Sequence, residues 1–425
     1  VSPGEGSKKP PTAASKAGTE KGASAKGSAK RSATTPSKAG AAKADTATVG
    51  TATAEVDDTA DAHEQLRRLV ATREIIICSG SGGVGKTTTA AVLGMEAARL
   101  GRRAVVVTID PAKRLADALG LGELGIGNQP REIDGTWPGR LSAVMLDTKS
   151  TFDGLVTQYS ADPEQAQRIL ANRFYRNISG ALSGTQEYMA MEKLYELQAS
   201  PDFDLVVVDT PPSRNALDFL DAPRRLTRFL DHRLYRVLMA PTRGVMKAVN
   251  AAAQAFVRSV SKVVGGEVFD DAIAFFQAFE GMEEGFKERA ELVLQALSSP
   301  ETAFVLVASP KRDTVQEAHF FADKLAEADL AVAALVVNRM HPHFTDELPE
   351  ALSARADTLD DSDLGGLFRN LADFALVAHR EEDHLQGLAD QVAPAPVIGV
   401  PFLRSDVHDL TGLDLVADQL FGRAR

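Results

Sequence analysis

Short apolar runs alternate with longer amphipathic stretches along this chain. The runs are Glu74–Cys78, Ala104–Ile109, Ser142–Leu146, Leu205–Val208, Ala303–Ala308, Ala333–Val337 and Pro396–Val400, each bounded by polar or glycine-containing turns. Most are rich in Val and Ile and apolar at successive positions, the pattern of strands covered on both faces. Helical segments lie between them. That order predicts an α/β fold, a mostly parallel sheet flanked by helices.

Two connections exceed what a crossover helix needs. The first joins Ile109 to Leu205 and contains the third run; the second joins Asp209 to Ala303 without a strand pattern. In the second, Phe275, Phe279, Met282, Phe286, Ala290, Val293 and Leu297 recur at steps of three and four, the mark of one apolar helix face. Val245, Val249, Phe256, Val260 and Val263 repeat the pattern upstream. The expectation is one domain over 63–425 carrying an inserted helical subdomain at about 150–200 and 216–300, with most of these stripes buried.

Residues 1–62 read differently, as Ala, Lys, Ser, Thr, Gly and Pro with few large apolar side chains. Such a segment buries too little surface to offset its ordering entropy, so a disordered basic tail is expected. Residues 1–43 hold nine Lys or Arg against two Glu, so the chain's net charge of -11 divides into +7 there and -18 on the remainder. A body this acidic repels nucleic-acid phosphates, which disfavours stable DNA or RNA binding by it. With no run near the length of a spanning helix and no leader-like apolar segment at the start, a cytoplasmic location is expected. The single cysteine, Cys78, cannot form an intrachain disulfide or a multi-thiolate metal site.

The chemistry concentrates at Gly80-Ser81-Gly82-Gly83-Val84-Gly85-Lys86-Thr87, followed by Thr88 at the start of a helical run. This is G-x-x-x-x-G-K-[ST] placed directly after a strand pattern. Its glycines let successive backbone N–H groups converge on an anionic phosphate, and the next helix adds its positive end. Lys86 would reach the β- and γ-phosphates, in binding and catalysis, while the Thr87 hydroxyl is a hard oxygen ligand for Mg²⁺. Gly82, Gly83, Val84, Gly85 and Thr88 complete the nucleotide cradle. Asp209, closing the run Leu205–Val208, stands where a second acid would hold the Mg²⁺ shell through water. Asp110 closes the second run and suits a carboxylate that orients the attacking water, with a helix cap before Pro111 as the competing role. The implied cofactors are ATP and Mg²⁺. The histidine pairs His379/His384 and His341/His343 lack metal-site spacing.

At these residues the chain resembles the arsenical-pump and tail-anchored-protein-targeting ATPases, the anion-transporting ATPase-like family with a deviant phosphate loop. The matches are residues 82–88, Asp110-Pro-Ala with Leu115-Ala-Asp117, Gly184-x-x-Glu187, Asp209-Thr-Pro-Pro-Ser213, Asn338 and Val400-Pro401-Phe402. The resemblance implies that Asp110 belongs to a first switch and Ser213 to a second. It also implies that Asn338, Pro401 and Phe402 line an adenine pocket, and that the long helical insertion binds a hydrophobic protein client. Ser81 departs from the pattern, because the family carries there a lysine that crosses to the nucleotide of the other subunit. A heterodimer with a related subunit that keeps this lysine is therefore expected. Arsenite, a soft thiophile, needs several thiolates and finds one cysteine.

The resulting expectation is Mg-dependent ATP hydrolysis driving a dimer conformational switch. Its rivals are a partition- or septum-type ATPase acting on DNA or membrane, and a non-hydrolysing ATP-binding subunit of a heteromeric ATPase.

Overall fold

The computed structural model describes residues 51–109, 114–119, 128–178, 185–211, 266–359 and 362–423, with Ala222, Arg224, Arg225, Thr227, Arg228 and Asp231 between them. Each expected apolar run is a strand: β1 (Ile75–Ser79), β2 (Arg103–Thr108), β4 (Arg140–Met145), β5 (Leu205–Asp209), β6 (Thr302–Ala308), β7 (Val332–Met340) and β8 (Val397–Pro401). With a two-residue edge strand, β3 (Arg131–Glu132), they form one eight-stranded sheet in the order β3-β4-β2-β5-β1-β6-β7-β8. All pairings are parallel except that of β3, which runs antiparallel to β4. The sequence reading missed β3, because two polar residues carry no periodic signal.

Residue alternation along each strand divides the core into two layers. Ile76, Cys78, Val106, Leu141, Val207, Val305, Val307 and Val336 face one way, against α2 (Lys86–Arg99) and a C-terminal helix at Leu410–Leu420. Ile75, Ile77, Val105, Val107, Val206, Val208, Phe304, Leu306 and Leu335 face the other. That second face is covered by α7 (Thr185–Gln198), α9 (Glu283–Leu297), α10 (Arg312–Glu327) and α12 (Asp363–Val392). Covering both faces explains why the strands read as continuous apolar runs.

α1 spans Thr51–Thr72 and so begins inside the stretch expected to be tail. Its alanines favour helix, and Ala62, Leu66 and Val70, all buried, recur at helical spacing. Two contacts pin α1 to the C-terminal helix, α13 (Leu410–Leu420). Arg67 donates to the Phe421 carbonyl at 2.7 Å, and His63 Nδ1 lies 3.0 Å from the Leu420 carbonyl. Beneath them Glu96, buried on α2, meets the guanidinium groups of Arg67, Arg99 and Arg423.

A third core belongs to helices alone. α4 (Thr148–Tyr159), α5 (Pro163–Ala171), α6 (Arg173–Ile178) and α8 (Gly266–Ala278) pack around Tyr175, Phe275, Phe279, Met282 and Phe286. Asp147 and Asp162 cap α4 and α5 by accepting from Ser150 and Gln165 backbone N–H groups. The stripe from Phe275 to Leu297 is buried as expected, yet it is not one helix. It breaks between α8 and α9, where Gly281 takes φ 88°, and the apolar face resumes in α9. The stripe from Val245 to Val263 lies outside the described residues.

Two helices belong to both cores. α7 puts Met191 and Leu194 on the sheet and Tyr188 and Met189 into the helical core; α9 divides Val293 and Leu297 from Phe286 and Ala290 in the same way. Among the described residues, no helix is long and apolar enough to cross a membrane.

Candidate functional site: a phosphate cup at the carboxyl end of the sheet

β1 ends at Ser79, and α2 starts at Lys86, so the loop between them lies at the carboxyl edge of the sheet. Gly80 is required on two counts. It takes φ 149°, and a Cβ there would sit 2.0 Å from the Val307 carbonyl oxygen. Gly85 precedes α2 with φ 103°, and a Cβ on it would meet the Asn338 amide nitrogen at 2.2 Å. Gly80→Ala is expected to lower stability by about 2 kcal/mol. A fall in the urea midpoint checks this; an unchanged midpoint would show that the loop tolerates the added methyl.

The loop, α2, α3 (Arg114–Ala118) and β7 enclose a cleft of about 520 Å³. Gly82, Gly83, Gly85, Lys86, Thr87 and Thr88 line it, together with Asp117, Thr210 and Arg339. Lys86 is buried, and its ammonium donates to the Ser81 backbone carbonyl at 2.8 Å, which holds the charge across the loop. Thr87 Oγ1 donates to Asp209 Oδ2 at 2.8 Å, and Thr108 Oγ1 donates to the same oxygen at 3.0 Å. The fold thus brings together Thr87 and Asp209, which are far apart in sequence. A hydroxyl and a carboxylate in contact beside a phosphate-sized cup suit Mg²⁺, which takes hard oxygen ligands and few protein groups when phosphates supply the rest. Among the described residues no His, Cys, Asp and Glu cluster offers another metal site.

Thr108, Thr210 and Arg339 escaped the sequence reading. Thr108 lies two residues before Asp110, and Thr210 directly follows Asp209 inside the Asp209-Thr-Pro-Pro-Ser213 match, which gives it no role of its own. Thr210 donates to the Cys78 carbonyl at 2.8 Å and so ties the end of β5 to β1. Cys78 is itself buried; desolvation first, then the Asp209 charge, pushes its thiol far above the ordinary range. A thiol so raised stays protonated and inert.

Three sequence candidates lie apart from the cup's lining. The Asn338 amide nitrogen donates to the Val84 carbonyl at 2.9 Å and so braces the loop from β7. Pro401 ends β8, and Phe402 beyond it is half exposed, its ring edge-on to His341 at 5.2 Å. Neither is among the residues lining the cleft, which Val407 closes on that side. Asp110 and Ser213 lie outside the described residues. Ser81 is buried, and its hydroxyl has no hydrogen-bond partner among the described residues.

A parallel sheet with a G-x-x-x-x-G-K-T loop between its central strand and a helix, and an acid on the neighbouring strand, defines a phosphate-loop nucleotide-binding protein. Residues 73–362 match the family model described as anion-transporting ATPase. The chain belongs to this family of arsenical-pump and tail-anchored-protein-targeting ATPases. It is 32% identical over 155 residues to an ATPase GET3 from Malassezia globosa, a match covering 36% of this chain and 44% of that protein. It is 24% identical over 292 residues to an ATPase get3 from Aspergillus terreus, covering 68% and 80%. A putative arsenical pump-driving ATPase 1 from Aquifex aeolicus is 21% identical over 354 residues, 82% of this chain and 78% of that one.

Proposed function

We propose that this chain binds MgATP in the loop cup, hydrolyses it, and uses the change to bind or release a hydrophobic protein client. The observation that carries the reading is the 2.8 Å contact between Thr87 and Asp209 at the floor of a glycine-rich cup. Lys86 and the loop amides hold the triphosphate, Thr87 and Asp209 hold the ion directly or through water, and Asp110 orients the attacking water. Bound Mg²⁺ supplies charge neutralisation at the β- and γ-oxygens. Asn338, Pro401 and Phe402 are assigned to the adenine side, with Asn338 acting from its place against the loop.

The path from nucleotide to client runs through the shared helices. Asp209 ends β5 under the cup, and β5 packs against α7 through Val206 and Val208. Because α7 and α9 also belong to the helical core, a displacement at the sheet edge reaches that core directly. Packed cores are bistable, so a sub-ångström change at phosphate can be read out as a rearrangement. Arsenite is not the cargo in this reading, since the one cysteine is buried.

Ser81 in place of the family's lysine supports a heterodimer in which a related subunit completes the site on this chain. The same residue supports the second reading, a subunit that binds ATP and leaves hydrolysis to its partner. Single-turnover hydrolysis with and without Mg²⁺, on the isolated chain and on its complex from native cytosol, tests both. Mg-dependent cleavage appearing in the complex is expected. Vigorous turnover by a homodimer would refute the heterodimer, and ATP bound but uncleaved in both samples would leave the structural-subunit reading.

A further inference from the structure

Asn338 and Arg339 are consecutive on β7, so a regular strand would point their side chains to opposite faces of the sheet. Both instead reach the same loop. Asn338 donates to the Val84 carbonyl at 2.9 Å, and Arg339 Nη1 donates to the Gly83 carbonyl at 3.1 Å. The cause is a bulge. Asn338 pairs with Val400 and Met340 with Pro401, so Arg339 is the extra residue, and its φ is 64°. Left-handed backbone is costly for a non-glycine side chain, and such strain gathers where a side chain must be re-aimed at a functional site. The re-aimed guanidinium is exposed and lines the cleft beside Gly82, Lys86 and Thr87.

We propose that Arg339 contacts the nucleotide's phosphate tail in the same chain's cup and provides there a cationic contact that Ser81 does not. The proposal rests on the cup binding a nucleoside triphosphate. A guanidinium carries five donors in a planar fork, so it can keep its bond to the Gly83 carbonyl and still present N–H groups to phosphate oxygens. Ser81, buried and uncharged, offers no comparable charge.

The test compares R339Q, R339G and R339K with the unaltered full chain, titrating MgATP and inorganic triphosphate by calorimetry and following thermal unfolding. Gln keeps a neutral donor for the loop carbonyl, and Gly relaxes the backbone. The expected result is a loss of about tenfold in affinity for both ligands in R339Q and R339G, less in R339K, with R339G melting no lower than the parent. Unchanged ATP affinity in R339Q would overturn the proposal. So would a loss for ATP with none for triphosphate, which would assign the contact to base or sugar. K86A run in parallel separates the two levels of the argument. If it abolishes binding while R339Q does not, the cup stands and Arg339 is excluded; if it leaves binding intact, the cup itself falls and takes this proposal with it.

Discussion

Lys86→Ala is expected to lower MgATP affinity by about three orders of magnitude, enough to erase the binding isotherm at micromolar protein. A charge-assisted hydrogen bond contributes about 1.5–3 kcal/mol, and an ammonium bridging two phosphates makes more than one. The effect belongs to the site and not to the fold. Lys86 is the first residue of α2, and its hydrogen bond to the Ser81 carbonyl joins two parts of the same loop. The variant should therefore keep its unfolding free energy, read from urea titration, to within about 1 kcal/mol of the parent. Calorimetry on the folded variant is the measurement. ATP affinity surviving unchanged would place the nucleotide elsewhere and remove the premise on which Asp209 and Thr87 were assigned.

The parts of this architecture that sequence revealed are those whose physics is local. Val- and Ile-rich runs marked seven strands, because a strand buried on both faces must be apolar at every position. The loop was legible because its amides, glycines and lysine are contiguous. Asp209 was legible because it ends a strand pattern. Arg339 was not. Its role comes from a one-residue slip against β8, and register between strands that are far apart in sequence leaves no trace in either strand alone. The break at Gly281 was hidden for a related reason, since the apolar steps of three and four continue through the turn. Thr108 illustrates a third limit. It is an ordinary β-branched strand residue until β2 pairs with β5 and brings its hydroxyl onto Asp209.

Arg289→Ala is expected to destabilise the fold by about 3–5 kcal/mol, the usual consequence of removing one partner from a buried ion pair. Arg289, on α9, donates through Nε to Glu192 Oε1 on α7 at 2.6 Å, and its guanidinium stacks 4.0 Å from the Tyr195 ring centre. Glu192 is almost fully buried, and its other oxygen has no hydrogen-bond partner among the described residues. Burial already pushes the Glu192 carboxyl above its ordinary range, with Arg289 pulling it back down. Without Arg289 that opposing pull vanishes and the folded-state pKa climbs further. A carboxyl raised by folding contributes its stability below the unfolded value and loses it as pH rises through the folded one. The deficit of R289A should accordingly be greatest near pH 8 and shrink toward pH 5, and adding Glu192→Gln should recover part of it at the higher pH. Urea unfolding across that range decides the matter. A deficit independent of pH would mean that the loss came from packing against Tyr195 and that the charge at Glu192 was immaterial. The pH dependence matters beyond stability, because this pair joins the two helices that belong to both the sheet core and the helical core. If α7 and α9 must shift together when nucleotide is cleaved, a directional bond between them preserves their registry in a way that interchangeable apolar contacts do not.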